Sequence, residues 1–336
     1  MRWLGWLLAG FLLALAASAQ AQPVPAAATP GPAEDRRLGE WLQRLQLASR
    51  RRAYMGTFVV SVGSDMASAR IWHVCDGEQQ MERVETLTGA PRSTFRRNDQ
   101  VLTFFPDSRV AVAERRESFG LFPNLLQSGD ASIARFYSLR AAGHGRVAGF
   151  ETDVVQLRPR DKLRFAYKIW TEKKTGLVVK LQTLDLHGQV LEQAAFSELQ
   201  LDAPVSMARL SQMMGNTEGY QVETPDLVKT TAAAEGWALK APVPGFQPMS
   251  GYRRSVVSTA EGRHDSTLQW IFSDGLATVS LFLEDFDSRR HGQPGAQALG
   301  ATHTLTRRIG DWWLTAVGEV PPQTLQVFAQ ALERRQ

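Results

Sequence analysis

Leu38, Trp41, Leu42 and Leu45 recur three and four positions apart among arginine, glutamine and glutamate, and this spacing predicts an amphipathic helix running to Arg52. Its apolar stripe needs a sheet to lie on. The period then changes. Thr57 to Val62, Ala69 to Cys75, Met81 to Leu87, Ser93 to Arg97, Val101 to Phe105 and Val110 to Glu114 are short β-rich runs separated by Gly, Asp, Asn or Pro. That is the pattern of consecutive antiparallel strands. Asn98-Asp99 and Pro106-Asp107 stand where hairpin turns belong.

Two short helices are predicted to interrupt the series, around Phe122 to Gln127 and Ile133 to Leu139. Strands resume at Asp153 to Arg158, Lys162 to Trp170, Leu177 to Leu186 and Val190 to Leu201, with Gly188 turning between the last two. Lys162 to Ile169 alternates most clearly: Leu163, Phe165, Tyr167 and Ile169 fall on one side, and Lys162, Arg164 and Lys168 on the other. This predicts one apolar and one basic face. Each buried large side chain stabilises by ~1.5–3 kcal/mol, so a one-residue slip would forfeit most of the strand's contribution and the register is fixed.

From Ala203 to Glu235 the strand pattern breaks. Pro204 followed by Val205, Met207, Ala208, Leu210, Met213 and Met214 predicts a connecting helix, and Gly215 to Pro225 reads as a loop. Beyond Gly236 strands dominate again. Thr267 to Phe272 and Ala277 to Glu284 flank the turn Ser273-Asp274-Gly275, and Thr302 to Ile309 and Trp312 to Val317 flank Gly310-Asp311. Pro321 and Pro322 open a last helix carrying Leu325, Val327, Phe328, Ala331 and Leu332, which packs across a small sheet.

Composition fits this picture: 43% of the 336 residues are hydrophobic and 21% charged, as in an ordinary globular protein. Met1 to Ala21 reads as an export signal, with Arg2 at its start, an apolar stretch from Trp3 to Ala16 and the small-residue cleavage site Ala19-Gln20-Ala21. No cysteine stands at that site to take a lipid. Pro23, Pro25, Pro30 and Pro32 make the following segment an extended tether. The expected layout is a signal peptide over 1–21, a tether over 22–33, a large β domain over 34–205, a connector over 206–232 and a small α+β domain over 233–336.

The net charge of +4 is too small to point to nucleic acid. Arginines are nevertheless grouped at Arg50 to Arg52, Arg96-Arg97, Arg115-Arg116, Arg289-Arg290 and Arg307-Arg308. They read as solvated faces, with acidic partners as the alternative, because guanidinium holds carboxylate and phosphate bidentately. Cys75 is the one cysteine, so no intramolecular disulfide is possible and it reads as a small core residue.

Motifs of chemistry are missing. The six histidines are scattered without metal-ligand spacing, and there is no nucleophile elbow and no phosphate-binding loop. Gly143-His144-Gly145-Arg146-Val147-Ala148-Gly149 has one residue too many for a dinucleotide fingerprint and reads as a flexible turn. No catalytic constellation, metal or cofactor is expected. What remains is an apolar interior inside an antiparallel sheet with cations at its rim, a surface suited to acyl chains with anionic heads or to an amphipathic peptide.

The run from Asp161 to Trp170, then Thr175-Gly176-Leu177 and Leu191-Glu192-Gln193, resembles the MucB/RseB family. So do Trp237 with Pro244-Gly245-Phe246, Phe272-Ser273-Asp274-Gly275-Leu276, and Val317-Gly318-Glu319-Val320-Pro321-Pro322-Gln323-Thr324, in order and spacing. Leu177-Val178 stands where that family commonly has Leu-Pro, and Phe165 where it commonly has tyrosine. The resemblance implies an α+β protein whose large domain is an antiparallel half-barrel closed by helices, like the lipoprotein carriers. It implies a periplasmic regulator that binds the periplasmic region of a membrane-spanning anti-sigma factor, shields it from regulatory proteolysis, and is displaced by lipopolysaccharide or related lipids.

On that reading Lys162, Arg164 and Lys168 are the expected contacts to a lipid headgroup or acidic peptide, and Phe119, Leu121 and Phe122 form an apolar lid. Homo-oligomers are compatible with it. The alternatives are a lipoprotein or lipid carrier, which needs no second domain, and a hydrolase, for which no residues speak.

Overall fold

The structure, a computed structural model, describes residues 32–77, 79–115, 133–258 and 263–335. The chain is mostly β with few helices. Helix α1 spans Pro32–Arg51, and strands β1 (Tyr54–Val62), β2 (Asp65–Asp76), β3 (Gln79–Thr86), β4 (Ser93–Arg97), β5 (Gln100–Phe105) and β6 (Val110–Arg115) follow. After a single turn of helix, α2 (Ile133–Phe136), come β7 (Tyr137–Val147), β8 (Phe150–Pro159), β9 (Ala166–Glu172), β10 (Val178–Leu184) and β11 (Val190–Leu201). Helix α3 (Met207–Gly215) leads to β12 (Gln221–Glu223).

These twelve strands form one sheet in the order β12-β6-β5-β4-β3-β2-β1-β11-β10-β9-β8-β7. Two meanders are thus joined where β1 pairs with β11, through Tyr54 opposite Leu201 and Val62 opposite Glu192. α1 lies on one face because Leu38, Leu42 and Leu45 all point the same way. They pack with Ile133, Tyr137, Leu157, Tyr167, Ile169 and Val178. α3, capped by Ser206 Oγ accepting the Arg209 N–H, sets Leu210 against Val74, Met81, Phe95 and Phe104.

The second sheet uses β13 (Asp226–Thr230), β15 (Gln247–Ser258), β16 (Arg263–Ser273), β17 (Thr278–Asp285), β18 (Gly295–Leu299), β19 (Thr302–Ile309) and β20 (Trp312–Gly318) in the order β13-β15-β16-β17-β20-β19-β18. Helix α4 (Pro322–Ala331) crosses it, with Leu325 and Phe328 buried against Phe246, Phe272, Leu281 and Leu314. A ribbon of β14 (Trp237–Leu239) with β21 (Leu332–Arg334) ties the start of this unit to its end.

Several sequence expectations need correction. The helix expected over Ile133 to Leu139 is one turn long, because Tyr137 onward pairs with β8. The glycine-rich run expected as a flexible turn is mostly strand. Gly145 is opposite Thr152, and only Ala148-Gly149 turns the chain. The loop expected after Gly215 contains β12, which pairs in parallel with β6, so the large sheet is not wholly antiparallel. The strand expected from Lys162 starts at Ala166. Residues 160–165 do something else.

Candidate functional site

Asp161 Oδ1 accepts the Leu163 N–H at 2.9 Å, a side-chain turn that breaks the alternation before β9 and sends Arg164 inward. Arg164 is completely buried. Its Nε donates to Asp274 Oδ2 at 2.6 Å, Nη1 to Asp161 Oδ2 at 2.5 Å and Nη2 to the Pro244 carbonyl at 2.7 Å. The guanidinium is sandwiched between the rings of Phe136 and Phe246, at 4.3 and 4.7 Å. Asp274 is equally saturated. Its other oxygen accepts the Leu276 and Ala277 N–H groups, and Tyr137 Oη donates to Oδ2 at 3.2 Å. Burial, then the nearby Asp274, raises the Tyr137 pKa well above its ordinary value. Arg164 therefore clamps the two sheets together rather than facing a ligand, which overturns its expected place on a basic surface. Thr324 Oγ1, donating to the Leu163 carbonyl at 2.8 Å, extends the same junction.

The junction has a second end. Glu192 Oε2 on β11 accepts the Ala301 N–H at 3.2 Å from the β18–β19 turn. A Cβ at Gly300 would lie 2.7 Å from Val62 Cγ1 and 3.0 Å from Glu192 Oε2, so glycine permits this close approach. Glu319 stays exposed as a residue, yet its carboxyl is crowded against protein. Desolvation, reinforced by the charge of Glu192, pushes its pKa up to about 7.

Among the described residues no helix packs on the face of β7–β11 opposite α1, where Lys168, Trp170, Lys180 and Gln182 are half-buried. Antiparallel pairing places directly opposed residues on one face. Lys168 is opposed to Gln182 and Gln156, and Trp170 to Lys180 and Val154. Gln193 and Ala195 of β11 are opposed to Gln182 and Lys180. Lys168 and Lys180 place their ammonium groups 5.1 and 4.8 Å from the Trp170 ring centroid. Desolvation, then the charge of Lys168, lowers the Lys180 pKa. Arg140, opposite Gln156, and Arg158, whose Nε donates to Gln156 Oε1 at 2.9 Å, add exposed cations on the same side.

Of the expected contact residues, Lys168 lies half-buried on this face and Lys162 is exposed in the loop before β9, while Arg164 is withdrawn. Phe119, Leu121 and Phe122 lie outside the described residues. So does the region of the expected export signal. Sequence reading missed Lys180 and Trp170 as partners of Lys168, because their pairing depends on a register shift between Val178 and Lys180. It read Asp274 as a turn residue, which it is, and missed that its carboxylate also receives Arg164. A recess of about 530 Å³ beside α1 is lined by Glu40, Arg44, Leu47, Arg51, Thr175 and Asp202. Cys75 is a free thiol whose pKa burial raises, and among the described residues no His, Cys, Asp and Glu cluster could hold a metal.

Comparison with known proteins covers both sheets. The profile of the MucB/RseB N-terminal domain matches residues 37–214 and that of the MucB/RseB C-terminal domain residues 231–333. The chain is 29% identical over 302 residues to the sigma factor AlgU regulatory protein MucB of Pseudomonas aeruginosa, covering 87% of this chain and 90% of that protein. It is 22% identical over 298 residues to the sigma-E factor regulatory protein RseB of Escherichia coli, covering 88% and 90%. Among solved structures, the complex of Pseudomonas aeruginosa MucA/MucB superposes with a TM-score of 0.68 at 26% identity, covering 89% of this chain and 99% of the other.

Proposed function

The chain belongs to the MucB/RseB family, and on that premise we propose that it is a periplasmic regulatory protein that binds the periplasmic region of an anti-sigma factor. What carries the reading is likeness across both sheets to a sigma factor regulatory protein that has been solved together with MucA. The protein acts by occupying its partner, not by converting it. Binding shields the partner segment from regulatory proteolysis, and lipopolysaccharide or a related anionic lipid releases it. Support for lipid sensing comes from cations presented at the surface, Lys162 among them.

We read the large sheet as a half-open barrel of the lipoprotein-carrier kind, with its concave face covered by α1 and α2. The packing of Leu38, Leu42 and Leu45 on Tyr167 and Ile169 supports this. The division into domains over 34–205 and 233–336 is part of the same reading, with Arg164 and Asp274 setting how the two sit together.

The test is a protection assay. The periplasmic segment of the cognate anti-sigma factor is exposed to its protease with and without the full-length protein, and then with added lipopolysaccharide. Protection that lipopolysaccharide reverses is expected. Equal cleavage in the first two arms would refute partner binding, and protection unaffected by lipid would refute the release step.

A further inference from the structure

Cations on a strand surface gain from a carboxylate beside them, as on β3, where Arg83 meets Glu85 at 2.9 Å. Lys168 and Lys180 do not. Their cross-strand neighbours are Gln156, Gln182, Trp170 and Ala195, and among the described residues neither lysine has a carboxylate within ion-pair reach. Two like charges instead share one indole. Of the carboxylates on this face, Glu172 is tied into the β9–β10 turn by the Lys174 and Thr175 N–H groups. Glu198 lies at the far border, opposite Thr57. Beside Trp170, the buried Thr152 hydroxyl has no hydrogen-bond partner, and Gly145 leaves the surface without a side chain.

The geometry points to this face as the docking site of an acidic, extended peptide segment, with carboxylates on Lys168 and Lys180 and a side chain against Trp170. The inference rests on the regulatory reading above and assigns the partner's place on this chain. Charge complementarity selects the sign of the occupant. The spacing selects its form: Lys168 and Trp170 are two residues apart on one strand, and an extended peptide repeats its same-face side chains at a matching interval of roughly 7 Å. The carboxamides of Gln156, Gln182 and Gln193 between the cations select peptide over acyl chain. They can hydrogen-bond a peptide backbone, whereas an acyl chain would desolvate them without compensation. Gln182 Nε2 already donates to Gln193 Oε1 at 3.0 Å, which holds both amides in place.

The experiment uses the full chain and a fluorescent decapeptide of alternating glutamate and threonine, followed by anisotropy, with the anti-sigma periplasmic segment titrated in parallel. Both should bind, more weakly as salt rises. K168E/K180E should lower both affinities roughly tenfold or more, and K168Q/K180Q by less, while K240E, just beyond β14, changes neither. The glutamine pair keeps the test open should charge reversal disturb folding. If the anti-sigma segment binds wild type and both lysine pairs alike, the docking site is wrong and the regulatory reading stands. If the decapeptide binds through these lysines but the anti-sigma segment does not bind at all, the regulatory reading fails and the acidic-peptide site stands. No decapeptide binding to wild type overturns the inference. So does lysine-dependent binding of phosphatidylglycerol vesicles in its place, which would make the face a lipid site.

Discussion

Arg164 Nε lies 2.6 Å from Asp274 Oδ2 across 110 positions of chain, and both side chains are fully closed to solvent. One residue precedes a strand of the large sheet and the other turns a hairpin of the small one, so this pair governs how the two sheets meet.

Removing Arg164 leaves the Asp274 carboxylate buried and uncompensated, a cost of about 3–5 kcal/mol, whereas removing Asp274 leaves Arg164 still paired with Asp161. Arg164→Ala should lower the urea-unfolding free energy by that order, and Asp274→Ala by less. The double variant Arg164→Met with Asp274→Leu should lose much less than the sum of the single losses, because no orphan charge remains. Single losses no larger than those of exposed ion pairs would contradict the clamp.

Gly245 stands against the same clamp with φ +81°, and a Cβ there would run into Arg164 Nη2 and then meet the Phe136 ring at 2.7 Å. Gly143 has φ +100° with nothing within 4 Å of such a Cβ. Both alanine variants suffer the backbone penalty, but only Gly245→Ala also displaces Arg164 and Phe136. We expect about 1 kcal/mol at Gly143 and at least about 2 kcal/mol at Gly245. Equal thermal shifts would show that Phe136 moves aside freely.

Glu319 sets a pH dependence. Its folded pKa of about 7 exceeds the ordinary 4.5, so between those values the folded state binds more protons than the unfolded one. Stability from this group is therefore greatest below about pH 4.5 and falls as pH rises to about 7. Glu319→Gln should stabilise the protein at about pH 8 and flatten the decline. The gain is on the order of 1 kcal/mol, well short of the full shift, since the residue is partly solvent-screened. Equal denaturation midpoints for wild type and variant at both ends of this range would remove the desolvated Glu319 carboxyl as the cause.

Local pattern was legible in the sequence and long-range pairing was not. The stripe Leu38, Leu42, Leu45 announced α1 and its buried face, and Val190 to Leu201 was read with the bounds it has. Tyr137 to Val147 escaped because Gly143 and Gly145 weaken any strand signal, while pairing with β8 overrides local preference. At Lys162 to Phe165 the alternation was real but the conformation was not. Asp161 capping Leu163, and a buried acceptor on another sheet for Arg164, outweigh a periodicity of four residues. The lysine-bearing face needed register: nothing in the sequence says that Lys180 lands opposite Trp170.

His73 gives a pH dependence of opposite sign. It is 4% exposed, its ring stacks on Tyr54 at 4.7 Å and 14°, and its Nδ1 donates to the Arg52 carbonyl at 2.8 Å. Burial outweighs the favourable charge of Glu82 and holds the imidazole pKa below its ordinary 6.5. As pH drops through about 6.5 the unfolded chain takes up a proton that the folded imidazole refuses, so stability is full above that value and declines below it. His73→Phe keeps a stacking ring and removes the titration. It should cost about 1 kcal/mol near pH 8 through the lost hydrogen bond, and proportionally less near pH 5. Because Glu319 pulls the other way between 4.5 and about 7, the comparison belongs in a Glu319→Gln background, where the acid-side decline of the parent stands alone. If the two urea midpoints then fall in parallel from about pH 8 to about pH 5, some other group carries the acid sensitivity and the buried neutral imidazole does not.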